Sequence, residues 1–213
     1  MIDVMLVDDH AVVREGYRRL LEREADMSVV AESGDATEAY QLYKTAAADV
    51  VVVDISMPGR GGIDLIRQLR QWDAKARVLV FSMHANASIA LQAFKAGAGG
   101  YFTKSSDPET LIDAVRLVAN HRPALCPEIS KALAMSRLED DKTSFDKLSP
   151  REFEVLRLII EAKSTEEIAN NLNLTPKTVG NYHYSIKSKL GVSSDIDLVY
   201  YCMRRDLVAG FVA

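Results

Sequence analysis

The chain reads as an α/β protein: a (βα)5 doubly wound parallel-sheet unit followed by an all-α four-helix unit. Three observations predict this. Five apolar runs alternate with five helical patterns over roughly the first 120 of its 213 residues. The third run holds four consecutive valines, Val50-Val51-Val52-Val53, and an apolar run without alternation suits a strand buried on both faces. From Leu148 onward the periodicity is purely helical and punctuated by capping boxes.

In order, Ile2–Val7 is the first strand and ends in Asp8-Asp9-His10; Val12, Val13, Tyr17, Leu20 and Leu21 then recur at helical spacing. Ser28–Ala31 is the second strand, and Asp35–Ala47 a helix through Ala39, Leu42, Tyr43 and Ala46. The valine strand ends in Asp54 and the loop Met57-Pro58-Gly59-Arg60-Gly61-Gly62, after which Ile63, Leu65, Ile66 and Leu69 mark a helix. Val78–Phe81 is a fourth strand ending in Ser82-Met83-His84, and Ala87–Ala96 a helix closed by Gly97 as a left-handed C-cap. Gly99–Phe102 is a short fifth strand leading into Thr103-Lys104. Asp107-Pro108-Glu109 then starts a helix that continues through Leu111–Val118, with Asp as N-cap and proline at the first helical position.

Composition sets the class. An apolar fraction of 48% and a charged fraction of 26% are ordinary for a globular protein. No apolar run approaches the roughly 18 residues of a membrane span, and Met1–Asp9 lacks the features of a signal peptide. With only Cys126 and Cys202, neither a disulfide framework nor a cysteine metal site is expected, and a cytoplasmic protein is. Net charge is −3 over residues 1–122, −2 over 123–146 and +1 over 147–213, a mild asymmetry that does no more than permit a nucleic-acid partner in the last part.

The ends of the strands carry the chemistry. Strand one ends in Asp8-Asp9, strand three in Asp54, strand four in Ser82, and Lys104 follows strand five. All lie at the carboxyl edge of a parallel sheet, where such folds place ligands. Clustered carboxylates repel unless a cation or proton neutralises them, so Asp8, Asp9 and Asp54 predict an oxygen-ligated Mg²⁺ site. Mg²⁺ binds phosphate oxygens and leaves one oxygen of Asp54 free as a nucleophile, with Lys104 and Ser82 opposite for the remaining phosphoryl oxygens. The chemistry implied is phosphoryl transfer onto Asp54. His10 and His84 flank the site as loop residues. Hydrolases that use an aspartyl-phosphate place a second aspartate two residues after the nucleophile; here that residue is Ser56, which cannot act as a general acid.

Asp8-Asp9-His10, Asp54-Ile55-Ser56-Met57-Pro58-Gly59, Ser82 and Tyr101-Phe102-Thr103-Lys104 resemble the receiver domain of two-component response regulators. The resemblance covers residues 1–121 and implies that Asp54 accepts a phosphoryl group from a sensor histidine kinase. It implies Mg²⁺ held by Asp8, Asp9, Asp54 and the backbone carbonyl of Ser56. Lys104 would pair with the acyl phosphate, and Ser82 would swing toward it while Tyr101 turns inward as the switch. Gly61-Gly62 departs from the Asp-Gly common in receivers.

Residues 122–146, with Pro123, Pro127, a short helix at Glu128–Met135 and the charged run Arg137–Ser144, read as a linker. In residues 147–213, Ser149-Pro150-Arg151-Glu152 and Ser164-Thr165-Glu166-Glu167 are capping boxes, and Thr175-Pro176 starts a third helix ending at Leu190-Gly191. A fourth helix runs from Ser194 to about Asp206. Val179, Tyr182, Ile186 and Leu190 form the core face of the third helix. Its outer face offers Lys177, Thr178, Gly180, Asn181, Tyr184, Lys187 and Ser188, a basic, amide-bearing surface suited to major-groove and phosphate contacts.

Leu148-Ser149-Pro150-Arg151-Glu152, Ser164–Ala169, Thr175–Val179 and Lys189-Leu190-Gly191-Val192 resemble the LuxR-type helix-turn-helix. Receiver plus this domain is similar to the NarL/FixJ family, and Ser193-Ser194-Asp195 is similar to its GacA/UvrY branch. The resemblance implies a transcription factor, not an enzyme, whose phosphorylation releases the third C-terminal helix and favours homodimers, formed through Leu198–Met203, on double-stranded promoter half-sites. RNA polymerase is a further partner it implies, and no membrane is. Gly180 stands where many members carry lysine, and Tyr184 where some carry a basic residue. The rival expectation is a phosphorylation-independent regulator whose receiver is only a protein-interaction module.

Overall fold

A computed structural model of the chain describes residues 1–138, 144–205 and 207. The first unit is a parallel sheet wrapped by helices: β1 (Ile2–Val7), α1 (Ala11–Leu21), β2 (Met27–Ser33), α2 (Ala36–Ala46), β3 (Val50–Val53), α3 (Gly62–Trp72), β4 (Val78–Ser82), α4 (Ala87–Ala96), β5 (Gly100–Thr103) and α5 (Glu109–Ala119). With a sixth strand at Ala124–Leu125 (β6), the strand order is 2-1-3-4-5-6, every pairing parallel, and it reverses beside β1. The four valines of β3 are all buried at the centre of the sheet. Asp107 Oδ1 accepts the Glu109 amide at 3.1 Å, but α5 begins at Glu109 with Pro108 at its N-cap, one residue later than the sequence suggests.

The sixth strand is a correction. Ala124–Leu125 (β6) pairs with β5 inside the stretch expected to be linker, and α6 (Pro127–Leu138) follows it. Ala124, Cys126 and Ile129 are buried, and α6 packs on α4 and β5. A two-residue strand, in a stretch of three residues between Pro123 and Pro127, is too short to show strand periodicity, which hid the element from the sequence. The charged run expected at Arg137–Ser144 lies largely outside the described residues, as do Asp206 and the residues after Leu207.

A 3₁₀ turn at Ser144–Lys147 leads into α7 (Pro150–Ile160), α8 (Thr165–Leu172), α9 (Pro176–Leu190) and α10 (Asp195–Met203). Both expected capping boxes are present, at Ser149 and Ser164, and Ser194 with Asp197 adds a third. Asn173 and Gly191 close α8 and α9 in the left-handed conformation. Val179, Ile186 and Leu190 are buried.

The helical unit docks on the α3–α4 side of the sheet unit. Gln92 on α4 is fully buried and donates to the carbonyls of Phe145 (2.8 Å) and Leu148 (3.2 Å). Arg151 meets Asp64 at 2.6 Å, Arg157 donates to the Gly59 carbonyl at 2.8 Å, and Arg60 donates to the Asn171 carbonyl at 3.0 Å. Apolar burial is continuous from the sheet through Phe145, Leu148 and Phe153 to α9 and α10.

Candidate functional site

Parallel register brings the acidic strand ends together. Val7 stands opposite Val53, the Asp54 amide donates to the Val7 carbonyl (2.8 Å), and the Lys104 amide donates to the Ser82 carbonyl (2.8 Å). Lys104 therefore projects across the mouth of the pocket: its Nζ lies 2.5 Å from Asp8 Oδ2 and 2.6 Å from Asp54 Oδ2. Asp8 and Asp54 are buried, and so is the Lys104 side chain, at 7% exposed. Burial works against the ammonium, but Asp54 and Asp8 outweigh it and hold Lys104 above the ordinary lysine range. A buried cation bridging two carboxylates is strongly coupled to both, and removing any one leaves an uncompensated charge.

Ligand atoms of Asp8, Asp9, His10 and Asp54 lie within 4.8 Å of one another, so the geometry can hold a metal ion. Asp9 Oδ1 is buried without a hydrogen bond among the described residues, although the His10 ring reaches to 3.0 Å of it. Three carboxylates with one orphaned oxygen suit a hard, oxygen-preferring cation. His10, 65% exposed in its side chain, stays outside that preference.

The hydroxyl side of the pocket holds contacts the sequence did not predict. Ser56 Oγ lies 2.8 Å from His84 Nε2, and the Ser56 amide donates to Asp54 Oδ1 at 3.0 Å. Burial pushes the His84 imidazole below its ordinary range. Ser82 Oγ accepts the His84 amide at 3.3 Å. Tyr101 is fully buried with its hydroxyl donating to the His84 carbonyl (2.8 Å), and burial raises its phenol above the usual range. The ring expected to turn inward is already inside. Arg14 on α1, which sequence reasoning passed over, donates to the Asp8 carbonyl.

On α9, Lys177, Gly180, Asn181, Tyr184 and Ser188 are exposed together, as the outer stripe requires. Thr178 is spent on the helix start, where it bonds Thr175. Lys187 is engaged by Asp195 at 2.9 Å. The expected release of this helix meets a plain finding: its outer face is open while the two units are docked. Leu198 and Cys202 are buried, so Leu198–Met203 as a whole is not a docking face; the apolar residues that α10 exposes are Ile196, Tyr200 and Met203, spaced by one and two turns.

The response regulator receiver domain matches residues 4–116, and the luxR family of bacterial regulatory proteins matches residues 146–202. The chain is a response regulator of the receiver-plus-LuxR type. UvrY of Escherichia coli strain K12 is 35% identical over 209 residues, covering 97% of this chain and 96% of that one. GacA of Pseudomonas aeruginosa is 32% identical over 210 residues, covering 98% of each. The structure of RcsB from Salmonella enterica serovar Typhimurium, bound to a promoter in the presence of the phosphomimetic BeF3−, is 30% identical with a TM-score of 0.74, covering 94% of this chain and 97% of that one. These place the response regulator in the NarL/FixJ family, on the GacA/UvrY-like side. It is a two-component transcription regulator rather than an enzyme. No helix among the described residues is long and apolar enough to cross a membrane.

Proposed function

We propose that Asp54 is the phosphoacceptor of this response regulator and that its modification controls DNA binding by α9. The observation that carries the proposal is Lys104 Nζ bridging Asp8 and Asp54 at 2.5 and 2.6 Å inside a buried acidic pocket. A carboxylate oxygen of Asp54 attacks phosphorus as the bond to the donor nitrogen breaks. Lys104, already aimed at that carboxylate, follows the charge onto the phosphoryl oxygens. Ser82, bonded now to the His84 amide, is the hydroxyl within reach of the product.

Asp8, Asp9, Asp54 and the backbone carbonyl of Ser56 would hold Mg²⁺, which when bound supplies charge neutralisation to the phosphoryl oxygens. The orphaned Asp9 oxygen supports that assignment. The receiver spans residues 1–121 with the β6–α6 extension packed on it, the linker falls within 122–146, and the DNA-binding unit spans 147–213. The protein acts in the cytoplasm, as a homodimer on paired half-sites, with RNA polymerase as a further partner.

Incubation with acetyl phosphate and Mg²⁺ tests the central step. Intact mass should show one phosphoryl group on the native chain and none on Asp54→Ala. If the native chain gains nothing while it still binds DNA, the phosphorylation-independent reading takes over; the open outer face of α9 is the observation that favours that reading.

A further inference from the structure

Gly180 has no reason within the chain to be glycine. It lies inside α9, its φ is not among the positive ones, and a β-carbon there would meet nothing within 4 Å. A glycine inside a helix destabilises it relative to alanine, and neither conformation nor packing offsets that here. Glycine serves also where another molecule must approach the backbone closely.

One turn later stands Tyr184, 76% exposed, the most exposed aromatic side chain among the described residues. Helical side chains lean toward the N-terminus, which directs a residue at 184 toward the turn that holds Gly180. Lys177 and Asn181 are exposed beside this gap. Gly180 thus leaves bare backbone on the outer face of α9, open to 4 Å around the place of a β-carbon, with an exposed aromatic one turn later, an amide at one side and an ammonium toward the helix start.

We infer that Gly180 and Tyr184 form a thymine-reading notch, in which the C5-methyl of a thymine lies against the bare backbone of α9 and the Tyr184 ring. The major-groove methyl is the one apolar mark on a base pair, and apolar contact is how side chains read it. Asn181 alongside has the amide that pairs with adenine N6 and N7, so the notch and Asn181 together select an A·T step. Lys177 is left for phosphate, which positions the helix without specifying sequence. A lysine at residue 180 would fill the notch and exchange this apolar readout for a charge. The inference rests on α9 being the helix that enters the major groove.

The test uses the full-length chain and an operator selected by it from random duplexes, with binding read by fluorescence anisotropy at fixed salt. Each thymine of the operator is replaced in turn by uracil, which removes only the methyl. One thymine per half-site should lose about tenfold in affinity on replacement, the scale of one methyl group in an apolar contact. Tyr184→Ala should bind thymine and uracil operators equally. Gly180→Ala should raise Tm yet weaken the thymine operator about tenfold. Gly16→Ala is the control: Gly16 is, among the described residues, the other helix-interior glycine with nothing within 4 Å, on α1, and alanine there should raise Tm without changing operator binding. A native chain indifferent to uracil, a Gly180→Ala chain that binds as tightly as native, or a methyl preference that survives Tyr184→Ala overturns the notch. Lys177→Ala and Asn181→Ala tested on the same operator separate the outcomes: if both bind unchanged, the assignment of α9 itself fails.

Discussion

A β-carbon on Gly61 would stand 2.7 Å from Oε2 of Glu154, so the loop that follows Asp54 meets α7 where the chain carries no side chain. Glu154 and its partner Arg157 (3.1 Å) are both buried against that loop. Burial raises the Glu154 carboxyl above its usual range, and its Oε1 has no hydrogen bond among the described residues. The neighbouring Gly62 is tighter still: a β-carbon there would be 2.3 Å from the Asp54 carbonyl oxygen. Asp54, the loop after it and α7 are thus in one chain of contacts, and docking leaves no room for a side chain at residue 61 without a shift of Glu154 or Arg157.

Gly61→Asp should therefore undock the two units, because the new carboxylate both clashes with Glu154 and repels it. A compact chain of this length has a radius of gyration of about 17 Å, and the variant should exceed the native value by several ångströms in small-angle scattering. An unchanged scattering curve would show that the interface tolerates a carboxylate and that Gly61 is incidental.

Lys104→Met should expose how much of the pocket's stability depends on one ammonium. Removing one member of a buried ion pair costs about 3–5 kcal/mol because the partner charges stay buried. Lys104 and a metal compete for the same carboxylates, so Mg²⁺ should raise the Tm of the variant more than that of the native chain. Thermal melts with and without Mg²⁺ read both effects; equal Mg²⁺ shifts would separate the metal site from Lys104.

Much of this was legible beforehand for a physical reason. Val50–Val53 showed a strand buried on both faces, and strand-end residues share an edge in any parallel sheet, so Asp8, Asp54, Ser82 and Lys104 could be gathered without coordinates. The capping boxes at Ser149 and Ser164 were readable because they bond within one turn. What stayed hidden depends on long-range packing. Ala124–Leu125 has no periodicity of its own, the Ser56–His84 contact spans two strand ends, and Gly61 gains meaning only from Glu154, far along the chain. Likewise Leu198 and Ile196 are equally apolar in sequence, and only the packing of α10 tells core from surface.

Glu152 gives a pH dependence. Its burial opposes ionisation, but Lys189 (2.6 Å), the Ser149 amide and Ser185 outweigh that and hold the carboxyl down at about 2. A carboxyl depressed in the folded state contributes stability that is full above its unfolded value of 4.5 and lost as pH falls toward 2. Between those limits the native chain should lose more stability than Glu152→Gln, measured as Tm against pH. Parallel curves would mean that the capping box and Lys189 contribute nothing through charge.

The exposed stripe of α10 makes the last prediction. Ile196, Tyr200 and Met203 are 69, 61 and 52% exposed, while Leu198 and Cys202 on the opposite side are buried. Three large apolar side chains one and two turns apart on one short helix form a patch that a second copy can cover, and a C2 pairing sets each patch against its twin. Tyr200→Asp puts a like charge on both sides of such a contact and should weaken dimers on DNA by about 2 kcal/mol, roughly thirtyfold. Because Tyr200 touches solvent, monomer stability should change by no more than about 0.5 kcal/mol. Leu198→Asp should do the reverse: it buries an unpaired carboxylate and unfolds the helical unit before any effect on assembly can be seen. Sedimentation with operator DNA, beside thermal melts of both variants, distinguishes the two faces. A Tyr200→Asp chain that dimerises as the native one does would move the dimer contact off α10 altogether.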